Sequence, residues 1–337
     1  MIWNIFKKGT DTSSEKLDPK VERYRDLGTR ILQSETRPEH FTKLEYRIRA
    51  EFSLYHRWSS NKKVKHLLNA EIAAAQQLTG LPLIFMFHGD GRVREAALKH
   101  LEGPLVAPAN VYSLFWRMND WSPIVRDAAK HAARKCLPTT PATVIYPALK
   151  AMLPHVPNWG RWSNEGPAFV DATLMRQDVA ELLLRDIIET SQPRLGQLFR
   201  EIFRNPWIDQ HLEHVARKAA LPHIRAIALD ALLTRKVRWP TWKCKTVWID
   251  RSMGGYRKEP TFFDRDLKID VDVPLCLRLG AQDRASIVRK RAADGIIAFR
   301  NDEVLRLHID EISKILKNDK NIGVISRMDF LHRKRQE

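Results

Sequence analysis

The chain has 337 residues, with 57 lysines and arginines against 40 aspartates and glutamates, a formal net charge of +17. Its 44% apolar and 29% charged residues exclude a disordered chain, and its length allows a sizeable core. Three cysteines (Cys136, Cys244, Cys276) without a C-x-x-C spacing argue against a disulfide framework and a zinc knuckle, and fit a reducing cytoplasm. The basic balance favours an anionic partner: nucleic acid, a lipid surface or an acidic protein.

From the N-terminus, residues 1–17 read as a flexible segment. Its tip, Ile2, Trp3, Ile5 and Phe6 followed by Lys7 and Lys8, is suited to weak docking, with Trp3 and Phe6 as anchors. A membrane interface is one receiver; the chain's own surface or a partner suits four apolar residues better. These charges follow the apolar residues, unlike a secretory signal. The longest clean apolar run, residues 81–87, is far short of the ~20 residues of a spanning helix. A cytoplasmic protein without a spanning segment is therefore expected.

Residues 18–80 predict N-terminal helices. Asp18-Pro19 opens one to about Ser34, and Pro38 opens another carrying Phe41, Leu44, Ile48, Phe52 and Tyr55 on one face. Ser60 or Asn61 caps a third, with Val64, Leu67, Leu68, Ile72 and Ala75 on one stripe, stopping at Gly80. Residues 81–237 then carry a repeat. Asp90 through Val93-Arg94, Ala96-Ala97 and Leu101 aligns with Asp120 through Val125-Arg126, Ala128-Ala129 and Ala132, a step of 32 residues from Val93 to Val125. The pattern returns at Ile224-Arg225, 99 residues after Val125, and at Val288-Arg289, 64 residues after Ile224. Partner helices are expected over 104–118 and 206–219, and residues 154–167 read as a loop rich in Pro and Gly.

These residues resemble the second helix of HEAT-type repeats, whose pattern is Asp…Val-Arg…Ala-Ala…Leu. The resemblance implies an all-α fold, an α–α superhelix (a HEAT-like solenoid) in which stacked helix pairs bury a continuous core. It also implies that the aspartate caps its helix and pairs with the arginine of a neighbouring repeat, so that Arg94, Arg126, Arg225 and Arg289 form a ladder. Residues 238–280 break the rhythm. Alternation after Trp239, the Gly254-Gly255 turn, the run from Tyr256 and a third alternating run, Leu267 to Val273, predict a small β-rich insertion near residues 239–273. HEAT-like helices resume over 281–331, and residues 332–337 form a solvated basic tail.

The catalytic inventory is thin, with no phosphate-binding loop, dinucleotide fingerprint, nucleophile elbow or H-E-x-x-H. His211, His214 and His223 read as surface histidines, and Cys244 and Cys276 as buried small residues. No metal or cofactor is implied. HEAT-like alkylpurine DNA glycosylases do hold DNA against tryptophans and an aspartate. Here Trp116, Trp121, Asp120 and Arg126 resemble that site in residue types, although the family's catalytic motif does not align. Asp120, Trp121 and Arg126 are catalytic candidates under that alternative alone.

Cations mixed with aromatics are the stronger signal. Residues 235–268 hold ten lysines and arginines against four acids, among tryptophans whose rings could stack on bases while the cations neutralise phosphates. The candidate binding residues are Arg92, Lys99 and Lys130 beside the ladder, Trp159, Arg161 and Trp162 in the loop, and Trp239, Trp242, Lys243, Lys245, Trp248, Arg257 and Lys258 in the insertion. The resulting expectation is a non-enzymatic binding protein for DNA or RNA. The alternatives are a scaffold for an acidic protein and a HEAT-like glycosylase.

Overall fold

The computed structural model describes residues 26–28, 30–33, 40–54, 62–77, 80–161, 165–191 and 195–336. Over these residues the chain is mostly helical, with one two-stranded antiparallel sheet. It divides into two compact units, Met1–Thr173 and Leu174–Glu337. No described helix is long and apolar enough to cross a membrane. The Trp3/Phe6 tip, the 1–17 segment and most of the helix expected over 18–34 lie outside the described residues.

The first unit contains α1 (Phe41–Glu51), α2 (Lys62–Gln77), the short α3 (Pro82–Phe85), α4 (Gly91–Lys99), α5 (Pro108–Arg117), α6 (Pro123–Cys136), α7 (Ala142–Met152) and α8 (Glu165–Leu174). Proline at the first turn opens α3, α5 and α6, where its missing N–H costs no helical bond. Helix α2 packs on α4 and α4 on α6, while α1 packs on α5 and α5 on α7. The expected face of α1 is the one that is buried: Phe41, Leu44, Ile48 and, just beyond it, Phe52. Ala96, Ala97, Ala128 and Ala129 are buried between helices, beside Val93 and Val125; such small pairs allow close helix approach.

The second unit holds α9 (Gln177–Glu189), α10 (Leu195–Glu201), 3-10 turns at Ile202–Arg204 and Pro206–His211, α11 (Leu212–Lys218) and α12 (Pro222–Thr234). A hairpin of β1 (Lys236–Asp250) and β2 (Gly255–Asp266) follows, then α13 (Val273–Ala281), α14 (Ser286–Ala298), α15 (Arg306–Lys317) and α16 (Ile322–Gln336). Helices α12, α14 and α16 pack in sequence, with α11, α13 and α15 paired against them.

One device recurs in both units. Arg94 grips Asp120 with two bonds of 3.0 and 2.8 Å, Arg225 grips Asp283 at 2.8 and 2.9 Å, and Arg289 grips Asp319 at 2.5 and 3.0 Å. The remaining terminal nitrogen of each arginine donates to a carbonyl six residues earlier: His88, Ala219 and Asp283 respectively. Each aspartate also accepts from a backbone N–H two residues on, at Ser122, Ala285 and Asn321. One ion pair thus closes two turns and ties two helices together. Arg126 makes the carbonyl bonds only, to Asp120 and Trp121.

Several expectations are corrected. Only Asp90 caps a helix as the repeat pattern implies; Asp120 and Asp283 lie two residues before the N-caps Ser122 and Ala285 and close the preceding turn instead. The 64 residues from Ile224 to Val288 include the whole hairpin, and Arg225 reaches Asp283 directly across it. The run from Leu267 to Val273 is not a strand: β2 pairs with β1 alone, and Asp272 caps α13 through the Leu275 N–H. The helix expected over 206–219 is half 3-10, capped by Asn205. The loop expected over 154–167 contains a 3-10 turn at Val156–Asn158, and α8 begins at Glu165. The basic tail is the last turn of α16, where Arg335 pairs with Asp310 at 2.5 Å. Cys244 is exposed, whereas Cys136 and Cys276 are buried, and burial pushes their thiols up to about 11 and about 12.

Candidate nucleic-acid interface

The hairpin is anchored at its root by two buried carboxylates of the helical unit. Glu201 accepts from the Trp242 indole N–H at 3.0 Å and pairs with Arg204, whose guanidinium lies over the Trp242 ring at 4.7 Å. Asp209 receives Arg265 through two bonds of 2.8 and 2.7 Å and also accepts from the Lys268 backbone N–H. Val237, the second residue of β1, is buried. Trp242 sits at φ +59°, beside the register shift between Pro240 and Cys244. A left-handed tryptophan costs about 1–3 kcal/mol and persists where its surroundings over-determine it. The Glu201–Arg204 clamp supplies that constraint. Trp242 is therefore a root residue, with its N–H occupied.

Beyond the bulge the ribbon is exposed. Register puts Trp248 opposite Tyr256 and Thr246 opposite Lys258, so these four share one face. The other face carries Lys245 opposite Glu259 and Val247 opposite Arg257. Trp248 and Tyr256 meet edge to face at 5.6 Å and are each about half exposed. At the tip Ile249 is 72% and Met253 83% exposed, flanking the exposed Arg251. The tip is shaped by Asp250, which accepts from Ser252 and from the Met253 N–H; these bonds, the Ser252 side chain first, hold its carboxyl below the usual range. Arg257 and Lys245 approach Glu259 at 2.5 and 3.5 Å, and the Arg257 bond foremost lowers that carboxyl too. Lys243, Arg251 and Lys258 make no ion pair among the described residues. Trp239 lies nearer the root, tilted on Phe263 at 6.0 Å.

The candidates of the first unit separate. Trp159 is only 7% exposed, packed edge-on against Trp116 at 5.2 Å, so its ring is a core element. Lys130 is buried and held by Asp127 and Glu165 at 3.2 and 3.4 Å, which removes it from the cations free for a ligand. Arg92 is turned onto Asp90 through two side-chain bonds, and Lys99 pairs with Glu95 at 2.6 Å. Trp162 lies outside the described residues. Trp121 is 80% exposed and stacked under Arg161 at 3.9 Å.

Asp120 has no surface suited to chemistry on a bound base. Its oxygens are taken by Arg94, Arg117 and the Ser122 N–H, and its side chain is 2% exposed. Burial raises its carboxyl, but the bonds and charges of Arg94 and Arg117 outweigh this and hold it below the usual range. Arg126 is committed to two carbonyls of the same turn. His211 stacks on Trp207 at 4.2 Å, and burial foremost, then His214, lowers its imidazole. No group of three or more His, Cys, Asp or Glu among the described residues is arranged to hold a metal.

Sequence reasoning passed over Glu201, Arg204 and Asp209, which fix the root, and Ile249 and Met253 at the tip. The tip was within reach, because apolar residues flanking a Gly-Gly turn have no core to enter. The buried acids were not, because their partners are 41 and 56 residues away. A scan against protein-family models found no match, and a search of curated proteins found none either.

Proposed function

We propose that the chain is a non-enzymatic HEAT-like α–α superhelical protein that binds nucleic acid, DNA or RNA, through its hairpin. The observation that carries this reading is the far half of the ribbon. Residues 241–260 present five cations against two acids, with the rings of Trp248 and Tyr256 on an exposed face. A two-stranded ribbon fits the major groove of a B-form duplex. Its cations would neutralise phosphates while the rings meet bases or sugars. The recurring arginine–aspartate relay and the buried alanine pairs support the HEAT-like half of the proposal. The enclosure of Asp120 weighs against the glycosylase alternative.

A scaffold for an acidic protein would use the same cations, so the test must separate the two. Fluorescence anisotropy of a labelled duplex and a labelled single strand, each titrated across a salt series, does so with polyglutamate as competitor. The proposal expects affinity to fall linearly on a log–log plot against salt, with polyglutamate a poor competitor. Binding indifferent to salt, or lost to equimolar polyglutamate, would count against it.

A further inference from the structure

A cavity of about 310 Å³ opens at the hairpin root, between α10, α12 and the first residues of β1. Arg200, Lys236 and Arg238 line it, over an apolar floor that includes Ile227 and Val237. Arg200 is the unusual member. It is only partly exposed, yet it makes no hydrogen bond or ion pair with any described side chain. An arginine fork has five N–H donors, and none of those of Arg200 is both buried and unpaired, so they remain open to a ligand. Burial foremost holds this guanidinium below the ordinary arginine value; Asp230 opposes that, and Arg291 and Arg238 add to it. Asp230 does not satisfy Arg200, since its ion pair is with Arg291 at 3.7 Å. Asp264, also on the lining, stands opposite Arg238 in the strand register. The lining thus holds three cations against two acids; Lys236 approaches Asp266 at 3.8 Å, so Arg200 and Arg238 are the lining cations without an ion pair among the described residues.

We propose that this cavity binds a phosphate monoester of mononucleotide size. Arg200 and Arg238 offer two guanidiniums, more than a single carboxylate answers. A phosphate monoester brings nearly two charges and three acceptor oxygens, and the planar guanidinium matches it in paired bonds. The volume lies at the lower end of the range for small-ligand pockets, ~300–1,000 Å³, and the apolar floor leaves room for the group that the phosphate carries. This site does not depend on the ribbon's far half.

Titration calorimetry with AMP and with adenosine tests it. AMP should bind and adenosine should not; Arg200→Gln should weaken AMP by about tenfold or more, with Arg200→Lys partly restoring it. Asp230→Asn should tighten AMP several-fold by removing a like charge. Charge reversal at Lys243 and Lys245 should leave AMP affinity unchanged, which separates this site from the ribbon. Displacement of AMP by a 5′-phosphorylated strand, but not by its 5′-hydroxyl counterpart, would assign the phosphate to a strand end; no displacement by either would assign it to a free nucleotide. Equal behaviour of AMP and adenosine, or wild-type affinity in a folded Arg200→Gln protein, would overturn the proposal.

Discussion

Arg94, Arg225 and Arg289 in the helical units and Lys243, Arg251 and Lys258 on the hairpin carry the same charge in opposite circumstances. Each arginine of the first set faces a carboxylate through two bonds and a turn carbonyl through a third. No cation of the second set makes an ion pair among the described residues. A buried charge must be matched on every side, so it holds the fold and offers nothing to a ligand. An exposed, unmatched cation keeps its charge for a ligand, and binding a polyanion with it releases counterions. The chain's 57 lysines and arginines therefore overstate the cations that a partner would meet.

The sharpest attack on this division falls on the matched set. Asp120→Ala leaves Arg94 without its carboxylate and Arg117 with Glu45 alone, and loss of one partner of a buried pair costs about 3–5 kcal/mol. Urea denaturation should show that loss. Acid probes the same carboxylate: its folded pKa lies below the unfolded value, so its contribution is intact above about pH 4 and is lost as pH falls through the folded pKa. Asp120→Asn should flatten that part of the stability–pH curve.

Reversing Lys243, Arg251 and Lys258 to glutamate should weaken nucleic-acid binding by about a hundredfold at moderate salt. Unfolding free energy should move by no more than about 0.5 kcal/mol per site, as for other surface substitutions. Trp248→Ala should remove about 1–3 kcal/mol of binding if its ring stacks on a base, with the salt slope unchanged. At the small end, Lys99→Ala loses one exposed pair with Glu95, about 0.3–0.5 kcal/mol of stability, and leaves binding alone. A binding defect there would erase the distinction between the two sets.

The sequence carried the local half of this arrangement. Proline and aspartate marked helix starts at Pro123 and Asp90, and Gly254-Gly255 marked the hairpin turn, because these signals act over a few residues. What it could not carry was facing. Trp121 and Trp159 look alike in the chain, yet one is 80% and the other 7% exposed, and nothing local separates them. Lys130 resembles Lys99 until Glu165 arrives from another helix. The alternation from Leu267 to Val273 is as regular as that of β1, but a strand needs an edge to pair with, and β2 pairs with β1 alone. The contact between Arg225 and Asp283 spans the whole hairpin, so the repeat step is hidden until the chain is folded.

The most direct measurement compares the wild-type protein with the Lys243→Glu/Arg251→Glu/Lys258→Glu variant by the slope of log affinity for a duplex against log salt. Each lost phosphate contact should reduce the slope by about 0.9, so the variant should bind more weakly and respond less to salt while unfolding at the same urea concentration. Identical slopes and affinities in the two folded proteins would contradict the assignment of the ribbon as the binding surface.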